Sequence, residues 1–531
     1  MESLVCDLFS PGMTPLHRAG LGGLVSTLRW IEKTVPKADR PSGQWKMDKR
    51  SVIFEWENAK EARLLFEWLF ALAFQIKEGL IYLPGQYGDL SPPLEVRAAL
   101  QEGLLLSFYD HGVQSRGKKG QAQVSTYEVD EKPVTYRFLP LAWYKHQRDG
   151  FKLFEEALQG KLSLTRTLFP GAIERHAGLT GTHVTNSASL AMPLLFAPIG
   201  VLALKAGGKR VNDRGKRKFK AGAALLVPDL RSLTDVHHLL PALLPRNARD
   251  CQVTNISDAA LQAELRLRSR NLLDPDMVPT FRCVWCCPTD WNARLQPPSS
   301  VTEVHVNTLD PKLDQFEVAM QVLSSPSPRK NEKTGEHFWP KSYVRPLIAD
   351  NLASNRQWYT GFTRLMTAQD QLTGNPIRNY LSFERKGLHA MTKEIRWEQP
   401  GEETVVRAIH EAMRCRYGRI AAENAQNPVA RKNRMKREYE RLRLGFAGSK
   451  TADSLRHALT DLWSRAGSNS VLKEAWLQVL PMLSGDKWQL TRDLALLALA
   501  SYQGRDQEQD TINLSTIEET EDTEEEMEGQ S

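Results

Sequence analysis

Three glycines inside a helical apolar repeat restrict what this chain can fold into more than any other local feature. In PGMTPLHRAGLGGLVSTL, Pro11 to Leu28, Thr14 is placed to cap a helix whose first residue is Pro15. Leu16, Gly20, Leu24, Leu28 and Ile31 then recur at helical spacing, which predicts a helix from about Pro15 to Lys33. Gly20, Gly22 and Gly23 each cost such a helix about 1 kcal/mol against alanine. Glycines at that cost thin one side of a helix so that another backbone, or an RNA, can approach closely. A nucleotide phosphate loop needs GxxxxGK followed by Ser or Thr, and no Gly-Lys pair in the chain is followed by either. His17 and Arg18 fall in the first turn, where free amide N–H groups favour a phosphate. From sequence alone, a packing helix with a solvated His-Arg pair and a phosphate contact both stand.

The rest of the chain reads as α+β: a mixed α/β N-terminal body with a C-terminal α-helical bundle and a disordered acidic tail. With 531 residues the chain exceeds what one hydrophobic core usually supports. Composition shifts suggest an N-terminal α/β region over 1–150 and a central α/β region over 151–400, followed by helices over 401–505 and the tail over 506–531. Within the first region, WKMDKRSVIFEWE alternates like a strand and NAKEARLLFEWLFALAFQIKEG has a broad helical apolar face. Two apolar runs, PLLFAPIGVLALKA and AGAALLVPDL, read as a strand pair bracketing a projecting basic loop. SLTDVHHLLPALL predicts a helix starting near Ser232, and VTEVHVN a strand from Val301. From Glu402 the pattern becomes about five amphipathic helices separated by Pro428, Gly448, Gly467 and an SGD turn. The opening MESLVCDLFSPG lacks a leader pattern and no run of 18 uncharged apolar residues occurs, so a cytoplasmic protein without a membrane partner is expected.

Charge narrows the partner. The net charge is +7, yet the last 26 residues carry eleven acidic groups and no Lys or Arg, which leaves +18 on residues 1–505. A body this basic points to a polyanion. The densest stretch is KAGGKRVNDRGKRKFK, where Lys205, Lys209, Arg210, Arg214, Lys216, Arg217, Lys218 and Lys220 stand against one acid, Asp213. Such a Gly-rich basic segment suits tracking along a nucleic-acid backbone, with Asn212 and the arginines also able to read base edges. Arg116, Lys118 and Lys119 repeat the theme in SRGKKGQ. SPRKNEKTGEHFWPKSYVRP mixes cations with His337, Phe338, Trp339 and Tyr343, as stacking on unpaired bases would need, and seven basic residues lie between Arg431 and Arg443.

No sequence signature of catalysis accompanies these cations. There is no HExxH, no GxSxG and no acidic box after a phosphate loop, and the chain reads as a binding and assembly protein without a cofactor. In FRCVWCCPTDW, Cys283 with Cys286 or Cys287 is half a zinc site without a second half at a usual spacing. Buried structural cysteines are the expectation. The competing reading is a metal-dependent nuclease or DNA-processing enzyme, with Cys283, Cys286, His237 and His238 as ligands.

The segments PGMTPLHRAGLGGLVSTL and AALLVPDLRSLTDV, Ala223 to Val236, resemble the large subunit of type I CRISPR effector complexes (Cascade), in the branch called the MYXAN subtype. The resemblance extends over the whole chain. It implies a protein that holds the 5′ end of a CRISPR RNA beside Cascade backbone subunits and inspects double-stranded target DNA for a protospacer-adjacent motif. It also implies that the C-terminal helices are similar to the small subunit, which an internal start at Met391 or Met413 would produce separately. Some members of the branch serve CRISPR-associated transposons, with a transposition recruitment protein as a further partner.

Overall fold

The computed structural model describes residues 2–108, 123–129, 132–160, 187–213, 216–286, 300–306, 310–323, 329–330, 337–338, 342–370 and 374–504. They form two compact units, Met1–Asp310 with Ser325–Pro340, and Pro311–Ser324 with Lys341–Ser531.

The first unit begins with β1 (Glu2–Asp7), which leads into α1 (Pro15–Thr34). Pro15 opens α1 as expected, and Thr14 caps it in a box closed by His17. β2 (Gln44–Met47) and β3 (Ser51–Trp56) complete an antiparallel sheet of order β1-β3-β2. Alternation along these strands buries Leu4, Cys6, Val52, Phe54 and Trp56. α2 (Ala59–Ala73) is capped by Asn58, whose side chain accepts the Glu61 N–H, and it sets Phe66 edge-on to Phe54 at 5.2 Å. Then follow β4 (Gln75–Lys77), β5 (Leu80–Tyr82), α3 (Pro84–Tyr87), α4 (Leu94–Ser107), β6 (Gln123–Val129), β7 (Lys132–Phe138) and α5 (Lys145–Leu158).

α6 (Ala188–Gly200) corrects the sequence reading, because most of PLLFAPIGVLALKA is helix and not strand. Every residue from Ala191 to Gly200 is buried. A helix apolar on all sides has no 3.6-residue stripe, and periodicity cannot separate it from a buried strand. Its glycine and that of α1 interlock. A Cβ on Gly20 would lie 1.9 Å from the Pro193 carbonyl oxygen, and one on Gly200 would lie 1.8 Å from that of Ala19. The glycines of α1 therefore admit a second helix backbone, which is the close approach their cost demanded.

Beyond α6, β8 (Leu202–Asp213) and β9 (Lys216–Pro228) form a long antiparallel hairpin. α7 (Val236–Leu243) and α8 (Ile256–Arg268) follow, then β10 (Thr280–Cys286) and β11 (Ser300–His305), giving a four-stranded antiparallel sheet of order β11-β10-β9-β8. Gly103 of α4 seats that helix on the β8 backbone, since a Cβ there would meet the Ala203 carbonyl oxygen at 2.2 Å.

The second unit is helical, with α9 (Pro311–Leu323), α10 (Val344–Ala353), α11 (Phe362–Thr367), α12 (Ile377–Glu394), α13 (Pro400–Glu423), α14 (Pro428–Gly448), α15 (Ala452–Ala466), α16 (Ser470–Val479) and α17 (Trp488–Ser501). Five of these lie beyond residue 399, as the helical spacing predicts. The centre is α17, where all residues from Leu494 to Ala500 are buried. Asp493 in its second turn accepts the N–H groups of Gly361 and Thr363, satisfying the first turn of α11. A two-residue antiparallel pair, β12 (Arg329–Lys330) with β13 (His337–Phe338), belongs to the first unit, where His337 Nδ1 accepts the Thr135 N–H of β7 at 3.0 Å. Among the described residues no helix is long and apolar enough to cross a membrane.

Candidate nucleic-acid interface

The basic segment is not a loop. Its residues continue β8 and β9 as a two-stranded ribbon, paired Lys209 to Lys220, Arg210 to Phe219, Val211 to Lys218, Asn212 to Arg217 and Asp213 to Lys216. Lysine and arginine do not oppose a strand, and Val211 and Phe219 favour one, so backbone pairing carries through the charged stretch. β10 pairs with β9 only from Ala223 to Pro228, so among the described residues the ribbon beyond them has no third strand. The seven residues from Gly207 to Asp213 reach about 23 Å at about 3.3 Å each.

The register fixes which residues of the ribbon are paired. The pairs Lys209–Lys220, Val211–Lys218 and Asp213–Lys216 alternate along the ribbon backbone with Arg210–Phe219 and Asn212–Arg217. Lys205 stands apart, on the sheet below the ribbon, where its ammonium lies 3.3 Å from the Glu102 carboxylate of α4. Arg214, together with Arg116, Lys118 and Lys119, lies outside the described residues.

The ribbon leaves the sheet through a register shift between Ala206 and Lys209. Trp285 of β10, 1% exposed, reaches across β9 at this point and donates its indole N–H to the Gly207 carbonyl at 3.3 Å. Gly222 lies beneath the indole, where a Cβ would come within 2.4 Å of the ring. On the other side, a Cβ on Gly207 would meet the Thr254 carbonyl oxygen at 2.8 Å, and Ala206 bridges to Val253. The sequence reading missed this base. Its signals were a lone Gly222 inside a strand pattern, which marks a close approach, and the Gly207-Gly208 pair.

The end of β9 carries a second junction. Arg18 Nε donates to Asp229 at 2.6 Å, and Gly22 faces the side chains of Leu230 and Val236. The two segments that carried the family resemblance thus pack on each other. His17 is 2% exposed, and its Nδ1 accepts the Thr14 N–H at 3.2 Å. Burial, with Arg18 beside it, lowers its pKa to about 4, so the ring is neutral at pH 7. Both residues of the His-Arg pair have partners within the fold, Arg18 with Asp229 and the Met13 carbonyl, and His17 with Thr14.

Other expected sites disperse. Tyr343 donates to Asp370 at 3.1 Å and stacks on Tyr380, and Arg345 is buried, so the aromatic-cation segment does not form one exposed platform from its described residues. On α14, Arg434 pairs with Glu423, Arg441 with Glu438 and Asp461, and Arg443 with Glu440, while Lys436 and Arg437 are exposed. Cys283 and Cys286 are both buried on β10. Three residues apart in a strand, they lie on opposite faces of the sheet and cannot chelate one ion together. Burial also pushes the Cys283 thiol up, away from the thiolate a metal would need. Among the described residues no group of three or more His, Cys, Asp or Glu is placed to hold a metal ion. Cys287 lies outside them.

Known proteins resemble the chain over most of its length. The DevT N-terminal domain matches residues 5–195 and the DevT C-terminal domain matches residues 392–529. The CRISPR-associated protein Cas8a1/Csx13 of Myxococcus xanthus (strain DK1622) is 35% identical over 521 residues, covering 94% of this chain and 88% of that protein.

Proposed function

Because the chain belongs to the family of the CRISPR-associated protein Cas8a1/Csx13, we propose that it is the large subunit of an RNA-guided, DNA-targeting Cascade complex and that the β8–β9 ribbon is its contact with target duplex. The observation that carries the reading is the ribbon itself, with six cationic positions and one acid on its paired strands, on a body of net charge +18. A two-stranded ribbon fits the major groove of B-DNA. The part played is recognition and assembly without catalysis. The subunit holds the 5′ end of the CRISPR RNA, docks on the backbone subunits and inspects double-stranded DNA for the protospacer-adjacent motif, while guide pairing reads the remaining sequence. It acts in antiviral defence or, with a transposition recruitment protein, in guided transposition. Its C-terminal helices take the place of a small subunit along the DNA strands.

The two kinds of polar residue on the ribbon divide the labour. Arginine and asparagine make bidentate bonds to guanine and adenine edges, which suits Arg210, Asn212 and Arg217 to reading bases. Lysine is a compact point charge, which suits Lys209, Lys216, Lys218 and Lys220 to phosphate. The test is selection from duplexes with randomised flanks by the complex assembled on its CRISPR RNA. The complex selects one short motif. Replacing Arg210, Asn212 and Arg217 with alanine relaxes that preference, and replacing the four lysines weakens all sequences alike. A complex that selects the same motif without this chain contradicts the proposal.

A further inference from the structure

The charges of the ribbon are useful to a duplex only if the ribbon points in one direction, and the base of the ribbon contains a device that fixes it. We propose that Trp285 is a positioning residue, whose indole clamps the β8–β9 ribbon to the sheet through Gly222 and Gly207. This rests on the reading of the ribbon as the DNA contact.

A two-stranded ribbon without a third strand bends and twists readily. The sheet stops supporting β9 at Ala223, and the register shift in β8 falls between Ala206 and Lys209. Here, where the ribbon would pivot, the Trp285 ring crosses β9 over Gly222 and bonds to the Gly207 carbonyl on β8. One side chain therefore spans three adjacent strands. Any side chain at 222 would displace the ring, with the nearest ring atom 2.4 Å from a Cβ. Opposite the indole, the Ala206 to Val253 bridge and the Thr254 carbonyl against Gly207 close the second jaw. Thr254 is itself held, because its N–H and hydroxyl both donate to Asp258, at 2.7 and 2.9 Å. The β8 backbone is gripped from both sides just below its first ribbon cation.

The test uses the full chain in the assembled complex, with Cys287→Ser and Cys415→Ser and nitroxide labels on Asp213→Cys and the exposed Leu64→Cys. Without DNA, electron–electron distance measurement gives one narrow distribution for the parent and a broadened or shifted one for Gly222→Ala. Trp285→Phe, which keeps a ring over Gly222 but loses the bond to Gly207, broadens it less. A narrow, unshifted distance in both variants overturns the clamp. DNA affinity is then measured with and without glutamine at Lys209, Arg210, Lys216, Arg217, Lys218 and Lys220. Gly222→Ala weakens binding about tenfold and flattens its salt dependence although no charge is removed. In the neutralised background it has no further effect. Equal loss in both backgrounds shows a general structural defect and overturns the proposal. If neutralisation alone leaves affinity unchanged, the ribbon is not the DNA contact, while the distance measurement still decides the clamp. Should Gly222→Ala fail to fold, Trp285→Phe carries both measurements.

Discussion

His17 is held neutral by its surroundings. Its ring accepts the Thr14 N–H, and its burial, with the Arg18 guanidinium beside it, keeps its pKa near 4 against about 6.5 in an unfolded chain. The unfolded state therefore binds more protons between those values, and the stability that the neutral ring contributes is present above pH 6.5 and lost as pH falls through 6.5 toward 4. The difference corresponds to about 3 kcal/mol. Glu264, raised to about 8 by burial, contributes with the opposite sign, its share being lost as pH rises from about 4.5 through 8. The comparison of variant with parent is thus the informative one. Glutamine can also close a capping box, so His17→Gln keeps the cap and removes the titration. Going from pH 7 to pH 4.5, the urea midpoint of His17→Gln should fall less, or rise more, than that of the parent; an equal signed change contradicts the buried neutral ring. The Thr14-Pro15 start of α1 was legible because it is local. The partner of Arg18 was not, since Asp229 lies 211 residues away and nothing in a single sequence joins them.

At the scale of elements, the crossing of α1 and α6 depends on missing side chains. Alanine at Gly20 would drive a methyl group into the Pro193 carbonyl, and packed helices give way to such overpacking at a cost of about 1–3 kcal/mol or more. Gly418, inside α13, has nothing within 4 Å of its Cβ position. There the same substitution relieves helix propensity, worth about 1 kcal/mol. Thermal unfolding should show Gly20→Ala lowered and Gly418→Ala raised; a rise for Gly20→Ala contradicts the close crossing. The need for this approach was readable from the glycines, but its partner was misread as a strand because α6 is apolar all round. The basic segment was misread for a different reason. Charge and glycine suggested a loop, whereas the cross-strand pairing that carries β8 and β9 through it is set by the sheet behind them, a tertiary effect local pattern does not reveal.

For the whole molecule, the basic charge is legible in the sequence and the geometry that displays it is not. The eleven acidic residues after residue 505 offset much of a +18 body, and their deletion should strengthen binding to unrelated duplex at low salt while leaving motif selection intact; weaker binding contradicts a basic body masked by its own counter-charge. The central claim is that the ribbon meets phosphates. Its most direct test is the salt dependence of duplex binding by the assembled complex, parent against a variant with glutamine at Lys209, Lys216, Lys218 and Lys220. Each lost phosphate contact lowers the slope of log affinity against log salt by about 0.9. The account predicts a slope reduced by about 2 to 4, with normal assembly around the guide RNA; an unchanged slope and affinity in a properly assembled complex would contradict it.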